Sequence, residues 1–211
     1  IDNLYFPRGI NMGKDLANVL PVDESKITED VTRSWYSYSG GSDAGKHPYD
    51  GETTPNYTGP KPPYDFLDTD GKYSWVKSPR YDGEPMEVGP LARVLVAYAS
   101  GNADAKGAVD FVLGKLGVGA GALFSTLGRT AARGIDCLML AQKTELWLAQ
   151  LTDNMGRGIL EVHNAEKWEP STWPKEAQGF GYHEAPRGAL GHWIRIENGA
   201  IKNYQAVVPS T

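Results

Sequence analysis

Cysteine is almost missing: Cys137 is the only one in 211 residues. A disulfide within the chain is thereby excluded, and so is any Cys-x-x-Cys metal site. No window approaches the roughly 18 consecutive apolar residues of a membrane span. A basic excess is missing too. The net charge is −5, whereas a nucleic-acid binder needs a basic face, and adhesion to anionic lipid is disfavoured by the same sign. The glycines of "GKLGVGAGALFSTLG" lack a following Gly-Lys-Ser/Thr and join two helical segments, so a phosphate loop is excluded. Ser210 has no G-x-S-x-G elbow around it, and nothing signals a triad. The histidines are only His47, His163, His183 and His192. His183 and His192 flank a turn with no third ligand at a recognisable spacing, so hydrogen-bonded structural histidines are favoured over a zinc site.

What is present suits a soluble globular chain long enough to bury a core. Six Trp and eleven Tyr beside 25 Gly and 14 Pro indicate aromatic packing and many irregular connections. The chain opens in strand-like sequence and stops within an apolar run, which reads as an internal segment of something longer.

The expected fold class is α+β. Residues 1–22 read as short extended pieces with turns. A short helix is expected over 25–37, capped by Ser25, with Ile27, Val31, Ser34 and Trp35 on one face. Residues 38–72 form a long Gly/Pro/Tyr-rich loop whose aromatics favour ordering against a neighbouring surface. A strand is expected at 73–77, with turns at Ser78-Pro79 and Asp82-Gly83. A helix then begins at Pro90, and another spans 104–116 and ends at Gly117. The strongest period lies at 121–154, a long bundle helix with Phe124, Leu127, Ala131, Ile135, Leu138, Gln142 and Leu146 on one stripe. Cys137 lies inside that helix and reads as a buried small hydrophobe. "WIRIENGAIKNYQAVV" is a hairpin about Asn198-Gly199. Small antiparallel sheets at both ends complete a chain read as one internal segment of a single large domain.

One stretch stands apart: "HEAPRGALGHW", residues 183–193. Arg187 sits between a proline and a glycine among small and apolar neighbours. It reads either as a rigid turn whose arginine pairs with a carboxylate, or as half of a donor pocket. In the second reading Pro209 and Ser210, at the end of the returning strand, face the 185–188 turn. A fixed guanidinium and a hydroxyl would then suit small anions or anionic metal ligands, because a guanidinium keeps its proton and offers planar donors.

At this point a family comes into view. "GYHEAPRGALGHWIRIENGAIKNYQAVVPST", "YSWVKSPRYDGEPMEVGPLARVLVAY", "LYFPRGINMGKDLANVLPVD" and "SWYSY" resemble the middle and C-terminal portion of the large subunit of nickel–iron hydrogenases, membrane-bound uptake type. The resemblance implies reversible heterolytic cleavage of H2 to protons and electrons. It implies a Ni-Fe centre with CN and CO ligands, a structural Mg, and iron–sulfur clusters in a partner small subunit. Other implied partners are the remaining segments of the large subunit and a membrane cytochrome b, with location on the periplasmic side of the membrane through partner subunits. Nucleic acid is not among them. Arg187 corresponds to the arginine above the metals, with Ala185 and Pro186 as its backbone companions. Ser210 corresponds to a hydroxyl donor to an iron ligand, Val208 and Pro209 to the pocket wall, and Ala206 to a backbone carbonyl for Mg. The family's two Cys-x-x-Cys pairs are absent, so this chain is expected to wall the site without ligating its metals. The alternative is a metal-free, hydrogenase-like scaffold subunit of a respiratory-type complex.

Overall fold

The computed structural model describes residues 4–63 and 66–210. Parts of the expected 1–22 segment and of the 38–72 loop, together with Thr211, lie outside the described residues. The chain divides into two compact units, 1–22 with 88–173, and 23–87 with 174–211.

The first unit is helical. α1, Pro90–Ala99, starts as expected with Pro90 in its first turn after Gly89 at φ 114°, a value that an L side chain rarely adopts. α2, Ala103–Leu116, is capped by Asn102, whose side chain accepts from Ala105 N at 3.0 Å. It ends on Gly117 in the left-handed conformation, which satisfies terminal carbonyls without a Cβ clash. A 3₁₀ turn, Ala120–Phe124, leads to Ser125, which caps α3, Thr126–Gly156. At 31 residues, α3 is about 46 Å long. Leu91, Val94 and Leu95 of α1 pack with Val109 and Leu113 of α2, with Leu123, and with Ala132, Ile135 and Met139 of α3. Each large apolar side chain buried here stabilises by roughly 1.5–3 kcal/mol.

The face of α3 differs from expectation. Its buried residues are Gly128, Ala132, Ile135, Asp136 and Met139, whereas Leu127 is 81% exposed and Leu138 and Leu146 are also exposed. Small residues let a neighbour approach closely, and Asp136 is buried against Arg93 of α1. The packed stripe is therefore chosen by size and charge pairing, about one residue away from the hydrophobic maximum. Cys137 lies off that stripe and is exposed, not the buried hydrophobe expected.

The second unit is built of short antiparallel sheets. The helix expected over 25–37 is absent. Asp23 caps a single 3₁₀ turn, Glu24–Lys26, and β1 follows at Ile27–Asp30. β1 pairs with β4, Ser78–Tyr81, so pairing some fifty residues away overrides the local helical period. The strand expected at 73–77 is displaced to β4, and Pro79 lies within it instead of in a turn. Proline is tolerated there because the sheet has only two strands. Asp82 and Gly83 do form the expected turn, with φ 53° and 80°.

β2, Tyr36–Tyr38, pairs with β3, Thr53–Pro55, inside the expected loop. The loop aromatics order against their own unit: Tyr57 stacks on Trp75 at 5.7 Å, and both meet Trp35 edge-on. The Lys72 ammonium ties the loop inward, donating to the carbonyls of Val31 and Tyr36 at 2.7 and 2.9 Å and to Asp43 Oδ2 at 3.1 Å. The third sheet orders β5, Ala177–Ala185, β6, Gly188–Glu197, and β7, Ala200–Val207, as β5-β6-β7. The β6–β7 hairpin turns on Asn198 and Gly199, both at positive φ, as the dipeptide predicts. Trp193, 1% exposed, anchors this sheet.

Candidate functional site

The β5–β6 connection is a two-residue turn. Ala185 pairs with Gly188, leaving Pro186 and Arg187 at the tip. Proline fixes φ on one side of the arginine. Gly188, at φ 145°, occupies a conformation reserved for glycine on the other. Arg187 is exposed, and among the described residues no ion pair or hydrogen bond holds its guanidinium. The carboxylate-paired reading of this turn therefore finds no support among the described residues.

β7 runs antiparallel to β6, with Val207 opposite Gly191. The chain leaving β7 thus heads toward the end of the sheet that carries the Pro186-Arg187 turn. Val208, Pro209 and Ser210 follow directly, Pro209 partly covered and Ser210 exposed. The topology brings Ala185, Pro186 and Arg187 to the same sheet end as Val208, Pro209 and Ser210.

Ala206 lies opposite His192 in β7 and lines a cavity of about 330 Å³ shared with Glu29, Trp75, Lys77, Gln205 and Val208. Sequence reasoning missed the polar floor of this cavity. Glu29, 3% exposed, meets Lys77 Nζ at 2.5 Å, and the same ammonium donates to Gln205 Oε1 at 2.8 Å. Burial holds the Glu29 carboxyl above its ordinary range, outweighing the pull of the Lys77 ammonium. No local signal marks these three residues, because they come from three separate strands or their flanks. The Tyr38 hydroxyl, itself pushed up by burial, donates to the Glu29 carbonyl at 2.9 Å.

A second, partly buried cluster was also illegible. Trp193 Nε1 donates to Glu24 Oε1, and His47 Nε2 lies 2.8 Å from the same oxygen. His192 Nδ1 contacts the Tyr204 hydroxyl, and His163 stacks on Trp168 at 5.1 Å. Structural partners were the expectation for these histidines. His183 and His192 share one sheet face through their partners Leu190 and Gly181.

The described residues do not fit a complete metal site. No group of three or more His, Cys, Asp or Glu converges among them, and the only cysteine is the exposed Cys137 of α3. No helix among the described residues is long and apolar enough to cross a membrane. What the sheet end offers is a cation on a stiff turn, a hydroxyl and apolar walls.

Comparison with known proteins bears on what that arrangement serves. The profile of the family described as nickel-dependent hydrogenase matches residues 1–211. The uptake hydrogenase large subunit of Rhizobium leguminosarum bv. viciae is 47% identical over 218 residues, covering 99% of this chain and 36% of that protein. The hydrogenase-1 large chain of Escherichia coli is 42% identical, with the same coverage. Among solved structures, a reduced, active form of the Ni-Fe-Se hydrogenase from Desulfomicrobium baculatum superposes with a TM-score of 0.66 at 27% identity, covering 99% of this chain and 38% of that one. The chain therefore spans about a third of the length of the curated relatives it matches.

Proposed function

The chain belongs to the nickel-dependent hydrogenase family, and from that premise we propose that it walls the hydrogen-activating site of an uptake-type catalytic large subunit. The observation that carries the reading is the shared sheet end, where a proline-stiffened turn presents Arg187 beside the segment that carries Ser210. A nickel–iron centre held by thiolates outside this chain would supply the heterolytic cleavage of H2.

This chain's own residues have a narrower task. Arg187 supplies a permanent positive charge from a backbone stiffened on both sides, and a donor prearranged beside the metals would stabilise developing charge without reorganising when it is needed. Polarisation suits it better than proton abstraction, because a guanidinium holds its proton tightly. The Ser210 hydroxyl serves as a second donor. Val208 and Pro209 restrict water, which strengthens both donors by lowering the local dielectric. Ala206, on the cavity wall, would offer its backbone carbonyl to a structural magnesium. An iron–sulfur small subunit would take the electrons, and a membrane cytochrome b beyond it would place the assembly on the periplasmic side.

Elemental analysis of the purified large subunit containing this chain tests the assignment. About one nickel and one iron per chain are expected. Absence of nickel from material that retains this fold would instead favour the metal-free scaffold of a respiratory-type complex.

A further inference from the structure

The β6–β7 hairpin contains a register change. Its two-residue turn pairs Glu197 with Ala200 and Ile196 with Ile201. Continued at that register, the ladder would set Trp193 opposite Tyr204 and Gly191 opposite Ala206. Instead Lys202 is an extra residue, and from Arg195–Asn203 onward Trp193 faces Gln205 and Gly191 faces Val207. A slip of one residue turns every side chain of a strand to the other face, and it displaces the strand's end by about 3.3 Å. The turn therefore does not select the register that is observed.

Side chains beyond the bulge do. Gln205 accepts from Lys77 Nζ at 2.8 Å, and its own amide donates to Asn203 Oδ1 at 3.2 Å. Asn203 in turn donates to the carbonyls of Pro48 and Tyr49 at 3.2 and 3.0 Å. Lys77 is held at 2.5 Å by the buried Glu29, whose backbone is fixed in β1. In the turn-directed register Gln205 and Asn203 would both turn to the other face, and the bonds to Lys77 and to the Pro48 and Tyr49 carbonyls would be lost.

We propose that Lys77 and Gln205 are positioning residues: they form a clamp that selects the register of β7 and so sets where Val208, Pro209 and Ser210 stand at the sheet end. The proposal rests on the reading of that end as the wall of the hydrogen site. The bulge lets a tight turn and the clamp coexist, and bulges commonly serve to re-aim a strand beside a functional site.

The test uses the assembled hydrogenase with Gln205→Met, read by amide hydrogen exchange and by hydrogen oxidation. Exchange over 203–207 is expected to quicken about tenfold while the β5–β6 pairs stay protected. The turnover number should fall with the KM for H2 unchanged, and Gln205→Glu, which restores an acceptor for Lys77, should recover it. Asn203→Ser, which removes the bonds to the Pro48 and Tyr49 carbonyls and disturbs the one from the Gln205 amide but keeps the Lys77–Gln205 bond, should show a smaller effect of the same kind and serves if Gln205→Met does not assemble. Wild-type exchange in a folded Gln205→Met enzyme overturns the clamp. Quickened exchange without loss of turnover overturns its positioning role. Ser210→Ala measured alongside separates the two failures: impaired turnover there with wild-type exchange in Gln205→Met leaves the wall reading standing, whereas full turnover in both variants removes the wall reading itself.

Discussion

Replacing Asp136 by Asn removes the acidic half of a buried ion pair between α1 and α3. Asp136 Oδ2 accepts from Arg93 Nη2 at 2.8 Å, and Oδ1 from Nε at 3.3 Å. The two side chains are 6% and 7% exposed. At an effective dielectric of about 20 the gross attraction at that separation is about 6 kcal/mol. Most of that offsets desolvation, so the intact pair contributes little net stability. Removing one partner is different, because the buried Arg93 guanidinium loses the carboxylate that opposes it, and that costs about 3–5 kcal/mol. For a chain of this length each kcal/mol moves the melting midpoint by about 2–4 °C, so Asp136→Asn should melt roughly 6–20 °C below the parent. Circular dichroism at the helix band follows this directly. The double variant Arg93→Met with Asp136→Leu should melt close to the parent, since volume is kept and both charges leave together. A single variant within about 2 °C of the parent, or a double variant less stable than the single, would refute the reasoning.

Two further outcomes follow from the same unit. Burial, then the charge of Asp104 and its hydrogen bond at 3.2 Å, push the Tyr5 phenol up to about 12. Its contribution is fully present below roughly pH 10, where the unfolded chain ionises, and is lost as pH rises through the folded value. Tyr5→Phe should flatten that alkaline loss in unfolding midpoints measured from neutral to strongly alkaline pH, and an unchanged slope would contradict the assignment. At Gly128, a Cβ would come within 2.3 Å of the Ala122 carbonyl and 2.4 Å of the Leu123 carbonyl. Gly128→Ala should therefore destabilise by about 1–3 kcal/mol in urea titration, although alanine is the better helix former. A stabilised variant would mean that the 3₁₀ turn shifts freely.

Local signals were legible wherever the chain itself fixes the backbone. Pro90 opens α1 and Gly117 ends α2 where the sequence places them, α2 begins one residue before the expected 104, and Asn198-Gly199 closes the hairpin as expected. Long-range pairing was not legible. Ile27–Asp30 carry apolar spacing that suits a helix, yet the strand partner at Ser78–Tyr81 decides the outcome. The same limit applies to α3, where Gly128, Ala132 and Asp136 form the packed face although none is large and apolar. At the site, the Pro-Arg-Gly framing and the returning strand were readable because both are local. The Glu29–Lys77–Gln205 network was not, since its members approach only once three separate segments have been folded together.

Hydrogen oxidation by the assembled enzyme carrying Arg187→Lys tests the central claim most directly. Lysine keeps the charge but loses the planar fork, and removal of a prearranged donor typically lowers turnover by about 10²–10³-fold. The account predicts a loss of that order with nickel and iron still bound. Turnover equal to the parent, with the metals retained, would contradict it.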